Sequence, residues 1–490
     1  MPNTQQVAVK RPELHFTAKK NWINDPNGLF FDGQQYHLYF QHNPHGVGHG
    51  YMSWGHAVST DLVNWEELPI AILHGDAADI FSGSIVVDHE NTTGFGDGTI
   101  APVIAIYTAA AKDETNQSQA IAYSVDGGAT FTKYENNPVL DRGSKDFRDP
   151  KVIRYESAEG SYWVMVAVEA IERRVLFYRS ENLEDWTELS SFGPQAAVAG
   201  IWECPDLFQL PVTGTDELKW VLVVSLNPGG VAGGSGTQYF VGEFDGTTFT
   251  PDQVQPGWES FEYKDLKQGD WLDWGRDFYA GVSFHGLPVD QRTLIAWMSN
   301  WDYARELPHD GWRGSMSAAR HLDLVKNNDG KFEIRQRILG LPTAQESGTP
   351  APSGDTRIEL GSPALIELSV VERSSDPTVL SFYRSDNTLI SELTIDSEKI
   401  QHRREAGKVD HELYASNQRM PLPTDIGKLG VQVVVDHGSI EILAADGLRS
   451  LTDQLTGEDS PAFASLHVAS GTSISFTVQQ LSGETMEINA

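Results

Sequence analysis

Short apolar runs alternate with clusters of Asn, Asp, Gly, Ser and Pro from residue 28 to about 340. Such a pattern predicts β-strands bounded by turns, and amphipathic helical periodicity is scarce. The stretch Asn21-Trp22-Ile23-Asn24-Asp25-Pro26-Asn27-Gly28 leads into Leu29-Phe30-Phe31. A turn at Asp32-Gly33 then gives way to a second expected strand, Gln34-Gln35-Tyr36-His37-Leu38-Tyr39-Phe40. An Asn/Asp/Gly cluster ordinarily marks a turn. Here it stands directly before a buried-looking strand, so it is expected to hold a carboxylate at that strand's end.

A weak repeat runs through the same region. Ser59-Thr60-Asp61-Leu62-Val63-Asn64-Trp65 is echoed by Ser124-Val125-Asp126-Gly127-Gly128-Ala129-Thr130-Phe131 and by Ser180-Glu181-Asn182-Leu183-Glu184-Asp185-Trp186. Phe244-Asp245-Gly246-Thr247-Thr248-Phe249 follows more loosely. Each copy reads as strand, polar turn and aromatic. Recurring hairpins of this kind predict the blades of a β-propeller, with longer loops than the common blade of about 40–45 residues allows. Between the hairpins each unit opens on a polar cluster followed by an apolar strand. The openings are Asn24-Asp25, Phe81-Ser82-Gly83-Ser84, Arg148-Asp149-Pro150, Glu203-Cys204-Pro205 and Arg276-Asp277-Phe278. Five openings imply five blades. The first strand of a blade is the innermost, so all five clusters are expected to ring one central pocket.

Beyond about residue 340 the pattern changes. Pro, Gly and Ser concentrate around 347–355, which predicts a linker at 346–356. Alternating strands follow, at 365–371, 379–383, 431–435 and 439–443, as an antiparallel sandwich requires. The expected architecture is all-β: a five-bladed β-propeller over 1–345 and a C-terminal β-sandwich over 357–490.

At 490 residues the chain is long enough for two cores, and its formal charge of −32 argues against nucleic acid as a partner. The single cysteine, Cys204, excludes an internal disulfide and a cysteine-based metal cluster. No apolar run is long enough to span a membrane. The first six residues carry neither a basic nor an apolar signal segment, which reads as cytoplasmic, with secretion after loss of a signal as the alternative. The oligomeric state leaves no mark.

Asp25, Asp149 and Glu203 stand at blade openings, each with a Pro one or two residues later. Proline has no N–H and keeps the backbone extended, so each acid projects from a strand and caps no helix. Three acids around one pocket repel one another, and at least one is expected to hold a proton at neutral pH. One ionised nucleophile and one protonated acid is the division of labour of glycoside hydrolysis. Arg148 is placed to keep Asp149 ionised. An acidic cation pore, or three solvated turn acids, fits the spacing too. No short loop carries several oxygen ligands, so no metal is assigned. Cys204 reads as a small packed neighbour of Glu203.

Trp22-Ile23-Asn24-Asp25-Pro26-Asn27-Gly28 resembles the W-M-N-D-P-N-G signature of the invertase, levanase and inulinase group, glycoside hydrolase family 32. Phe147-Arg148-Asp149-Pro150 is similar to that family's R-D-P motif and Trp202-Glu203-Cys204-Pro205-Asp206 to its E-C-P motif. Phe81-Ser82-Gly83-Ser84 and Trp54-Gly55-His56-Ala57-Val58-Ser59 fit as well, and the likeness starts at Leu14-His15-Phe16. The resemblance implies a five-bladed propeller with a sandwich, and Asp25 as nucleophile, Glu203 as acid/base and Asp149 as transition-state stabiliser. It further implies a fructose subsite of Asn24, Gln41, Trp54, Phe81, Ser82, Arg148, Asp277 and Trp301, with Asp273 and Trp297 as neighbouring candidates for the last two. For Trp54 and Trp301 a core position competes with stacking on a sugar. No cofactor is implied, and the implied partner is a neutral fructose-containing oligo- or polysaccharide. A fructosyltransferase and a non-catalytic sugar-binding propeller are the rival readings. Two departures stand out. Ile23 replaces Met, and Asp436-His437-Gly438-Ser439-Ile440-Glu441-Ile442-Leu443 replaces D-R-S-S-V-E-V-F, which weakens a substrate role for the sandwich.

Overall fold

A computed structural model describes residues 9–158, 160–342, 348–372, 376–407, 409–424, 427–456 and 460–481. The six N-terminal residues read for a targeting signal, and residues 346–347 of the expected linker, lie outside these. Five antiparallel four-stranded sheets make up most of the first part, a short fifth strand also pairing parallel to the first sheet and Ala196–Ala197 pairing parallel with Gly257–Trp258. Their first strands are Asn21–Phe31 (β1), Ala78–Val87 (β2), Phe147–Ser157 (β3), Ile201–Pro211 (β4) and Tyr279–Ser283 (β5). Each packs against the next, and β5 returns to β1, which closes the ring of a five-bladed propeller. The short strand Trp312–Arg313 pairs with Asn21 and Trp22, tying the last blade to the first.

Aromatic and branched side chains fill the wedges between blades. Tyr39, Trp54, Ile85 and Tyr107 lie between the first two, and Val86, Phe147, Trp163 and Tyr178 between the second and third. The Ser-x-Asp/Asn repeat is a turn device. Ser59 Oγ accepts the N–H of Leu62 at 2.8 Å and Ser180 Oγ that of Leu183 at 2.8 Å, while Asp61 and Asn182 each take two further N–H groups. Side chains that satisfy turn amides in this way fix the outer hairpins of the first and third blades.

The rest of the chain forms two six-stranded sheets packed as a sandwich. They take up the chain inside the expected linker. Thr349–Pro350 pairs with Ser473–Gln480, and Gly354–Glu359 pairs with Phe463–Val468. A Pro is tolerated there because Thr349–Pro350 is a sheet edge.

Candidate active site

Four of the five polar clusters lie inside the inner strands, where sequence placed the first of them ahead of one; the fifth, Arg276-Asp277-Phe278, precedes β5. Pairing runs on along each inner strand by way of a register shift. The shifts fall between Ile23 and Pro26, Ile80 and Gly83, Arg148 and Lys151, Glu203 and Asp206, and Tyr279 and Val282. A β-bulge leaves residues unpaired and re-aims their side chains, and here five bulges share one end of the ring. Asp149, Cys204 and Ala280 take φ of 61°, 48° and 53°. That left-handed conformation is costly for non-glycine residues and is concentrated at functional sites.

The unpaired positions carry Asn24-Asp25, Phe81-Ser82 and Asp149. The residue just before the bulge is Arg148 on β3, Glu203 on β4 and Tyr279 on β5, and these three touch in series. Arg148 donates to Glu203 Oε1 from Nε at 3.2 Å and lies 3.1 Å from it through a second nitrogen. Tyr279 donates its hydroxyl to Glu203 Oε2. Ser82 Oγ donates to Asp25 Oδ2 at 2.6 Å and Asn24 Nδ2 to Oδ1 at 3.1 Å. Cys204 joins the other two acids: its N–H meets Asp149 Oδ2 at 2.9 Å, and its thiol lies 3.5 Å from Asp25 Oδ2 and 3.7 Å from Asp149 Oδ2.

Burial raises the pKa of Asp25; the Ser82 hydrogen bond opposes it and the Glu203 charge adds to it. Burial likewise pushes Asp149 up to about 7, against the Arg148 guanidinium and with the charges of Glu203 and Asp25. The expectation that Arg148 keeps Asp149 ionised is therefore met only in part. The guanidinium aims at Glu203 and lies 4.0 Å from Asp149, whose left-handed backbone turns the carboxylate toward Cys204.

Asn24, Asp25, Gln41, Phe81, Ser82, Arg148, Asp149, Glu203 and Trp301 line one open cleft of about 270 Å3. Trp301 stacks on Trp22 at 5.9 Å and packs on Trp297 at 4.8 Å, which holds its ring upright at the wall. Trp54 does not line the cleft. It is 0% exposed in the wedge between the first two blades, and its Nε1 donates to the Phe81 carbonyl at 3.0 Å, so it supports the wall from behind. Asp277 is also absent. It is buried against the sandwich, 2.6 Å from Arg404 and 2.6 Å from the Tyr303 hydroxyl. Asp273 faces the sandwich too, accepting the Thr452 N–H at 2.8 Å and lying 2.9 Å from Arg320 of the fifth blade. The cleft adds His49, Gln117, Asn227 and Arg305. His49 and Asn227 belong to loops 44–50 and 227–236, whose Gly-rich composition marks a rim; Gln117 and Arg305 carry no sequence signal. His49 opens on the cleft yet sits among Trp22, Phe81 and Trp301. That enclosure, and then the Arg305 charge, lowers its pKa to about 4, so it stands neutral.

The glycosyl hydrolases family 32 N-terminal domain matches residues 15–335. The chain is 40% identical over 484 residues to a levanase of Bacillus subtilis (strain 168), covering 94% of this chain and 68% of that one. It is 38% identical over 499 residues to an extracellular exo-inulinase of Aspergillus ficuum, covering 93% and 91%. Its fold is similar to the crystal structure of an exo-inulinase from Aspergillus awamori, with a TM-score of 0.89 at 34% identity, covering 98% of this chain and 100% of that one. The fructofuranosidase of Schwanniomyces occidentalis complexed with fructose follows, with a TM-score of 0.84 at 31% identity and coverage of 97% and 98%.

Proposed function

The chain belongs to glycosyl hydrolase family 32, and from that membership we propose that it releases terminal β-D-fructosyl units from fructans or sucrose-type fructosides with retention of configuration. The observation that carries this reading is the meeting of Asp25, Asp149 and Glu203, from three separate inner strands, in one cleft walled by Phe81 and Trp301. Asp25 attacks the anomeric C2 of the terminal unit, and its carboxylate is held for attack by Ser82 and Asn24. Glu203, positioned by Arg148 and Tyr279, gives its proton to the leaving oxygen. The bond from C2 to that oxygen breaks as the bond from C2 to Asp25 forms. Glu203 then takes a proton from water, which attacks C2 and frees Asp25. Asp149 faces the positive charge that develops at C2. Retention calls for a carboxyl separation of about 5–5.5 Å between Asp25 and Glu203 in a ligand-bound structure.

An intact set of acids favours catalysis over a sugar-binding propeller, since binding needs no nucleophile. The exo-inulinase relatives are named extracellular, which favours secretion over the cytoplasmic reading of the N-terminus. Chromatography of products from sucrose, inulin and levan tests the proposal. Free fructose supports an exo-acting hydrolase, mixed oligosaccharides an endo-enzyme, and a cyclic difructose a transferase. Roles are separated by azide with a fructoside whose leaving group is already acidic. Azide restores turnover to Glu203→Ala, which still forms the covalent intermediate, and not to Asp25→Ala. The opposite result reverses the two assignments.

A further inference from the structure

The loop that places His49 in the cleft continues outward to Tyr51. That residue is 54% exposed and adopts a φ of 51°. Bulky L residues rarely take this conformation, and an exposed ring gains little core packing in return, so folding alone does not account for it. The ring is nonetheless fixed. His45 meets it edge-on at 5.3 Å, His74 lies 5.6 Å away and the Lys112 ammonium 5.7 Å from the ring centre. The two imidazoles share a hydrogen bond of 3.2 Å between their Nε2 atoms, and the backbone N–H of His74 donates to Ser53 Oγ at 3.0 Å. The cluster is also tied to the cleft wall. Met52, next in the chain, accepts the N–H of Ile80 at 2.8 Å, immediately before Phe81, and Lys112 lies 3.9 Å from Asp79.

The cleft, at about 270 Å3, lies below the roughly 300–1,000 Å3 of sites that enclose a drug-sized ligand. It is too small to enclose a long chain, so the remainder of a polymer crosses the rim. A sugar ring offers a face of C–H groups and an edge of hydroxyls. The face of an aromatic ring is electron-rich and attracts the positive ends of C–H bonds, and polar groups beside it serve the hydroxyls. We propose that Tyr51, set between His45, His74 and Lys112, is a distal platform on which a later unit of a fructan chain rests. The platform rests on the hydrolase reading above for its ligand and sits outside the reacting subsite.

The test compares kcat/KM on a long-chain fructan, whichever of inulin and levan the native enzyme turns over, with kcat/KM on sucrose. Tyr51→Asn removes the ring while keeping a residue that tolerates left-handed backbone. The polymer-to-sucrose ratio is expected to fall roughly two- to tenfold, and Tyr51→Phe to keep it. A ratio unchanged in Tyr51→Asn overturns the platform, and so does an equal fall on both substrates, which marks a purely structural role for the loop. A second readout needs no turnover. In the inactive Asp25→Ala protein, electrophoretic retardation by levan or inulin in the gel is expected to weaken when Tyr51→Asn is added; unchanged retardation overturns the platform. Absence of any fructose release by the native protein overturns the hydrolase reading, while the gel still reports on the platform.

Discussion

Tyr279 shows what a single residue contributes when the ring of bulges is taken as a whole. It stands on β5 just before the shift, as Arg148 and Glu203 do on their strands, and its buried hydroxyl donates to Glu203. As Glu203 gives up its proton it becomes a charged acceptor, and a hydrogen bond to a charged partner is worth about 1.5–3 kcal/mol, so Tyr279→Phe is expected to lower kcat/KM by roughly ten- to hundredfold. The loss should fall mainly on kcat, and kinetics unchanged from the native enzyme would remove Tyr279 from the catalytic arrangement. Asp149 gives a prediction of another kind. Its pKa rises from 3.8 to about 7 on burial, so the native state keeps a proton that the unfolded chain has lost. Stability from this group is complete below about 3.8 and disappears as pH rises through about 7. Asp149→Asn keeps the hydrogen bond from Cys204 and suits a φ of 61°, so its thermal stability relative to the parent should rise between pH 4 and 7 and level off above. Its kcat should fall while KM changes less, because the charge matters most as C2 becomes cationic. A stability gap that ignores pH would show that Asp149 is not the buried acid described. At this scale much was legible: the three acids, Asn24, Gln41, Phe81, Ser82, Arg148 and Trp301 all reach the cleft. Trp54 and Asp277 did not: Trp54 fills the wedge between two blades, and Asp277 has a partner, Arg404, that is remote in sequence and that nothing near Asp277 announces.

The bulge is the element that turns a propeller into a candidate active site. Its signature in the sequence is a polar cluster directly ahead of an apolar run, with a Pro inside three of the clusters (Pro26, Pro150 and Pro205), which is why four of the five openings could be located. The fifth could not, because the bulge on β5 is Ala280-Gly281 and bears no polar side chain, while Arg276-Asp277 lies just upstream. Strand limits were less legible, since a cluster rich in Asn, Asp and Gly reads as a turn when no partner strand is in view. The same blindness applies to 349–350 and 354–359, whose turn-like composition joins sheets only because distant strands offer edges. Gly83 tests how tightly a bulge is built. A Cβ there would lie 2.0 Å from the Ile106 carbonyl oxygen and 2.7 Å from Tyr107 Cα, both backbone atoms of the neighbouring strand. Neither is able to swing aside. Gly83→Ala is expected to destabilise the protein by roughly 1–3 kcal/mol and to displace Ser82 from Asp25, so that melting temperature and kcat fall together. A variant with native melting and native kcat would mean that the bulge tolerates repacking.

Across the whole molecule, the propeller and the sandwich meet through an apolar seam, in which Leu14, Val63, Ala318 and Ile338 pack on Leu365, Val434, Leu443 and Leu481, and through buried charges set beside it. His15 sits between Asp436 and Glu441 at 2.8 Å from each, Arg320 reaches Glu441 and Asp273, and Arg404 joins Asp277. The segment Asp436 to Glu441 thus serves docking: its two acids, which match the family pattern, hold the start of the propeller, and its departures fall on residues between them. Buried ion pairs are weak sources of net stability but costly to break, because the survivor stays uncompensated; removing one partner typically costs about 3–5 kcal/mol. The joint should therefore fix the relative position of the two parts and depend on pH in a calculable way. His15 is raised from 6.5 to about 9, since its two acid partners outweigh its burial. Its contribution is complete below 6.5 and is lost as pH rises through 9. Glu441 is lowered from 4.5 to about 2, the Arg320 and His15 charges outweighing burial, so its contribution holds above 4.5 and is lost as pH falls through 2. The clasp is strongest between about 4.5 and 6.5. His15→Ala should lower the melting temperature most in that window, and the deficit should shrink steadily as both proteins are taken from pH 6.5 to above 9. Glu441→Gln should be destabilised there as well, with a deficit that shrinks toward acid pH. Melting curves of the parent and both variants in matched buffers check this. A His15→Ala deficit of constant size from pH 6 to pH 10 would show that the histidine acts by packing alone and that the charges across this joint do not set its strength.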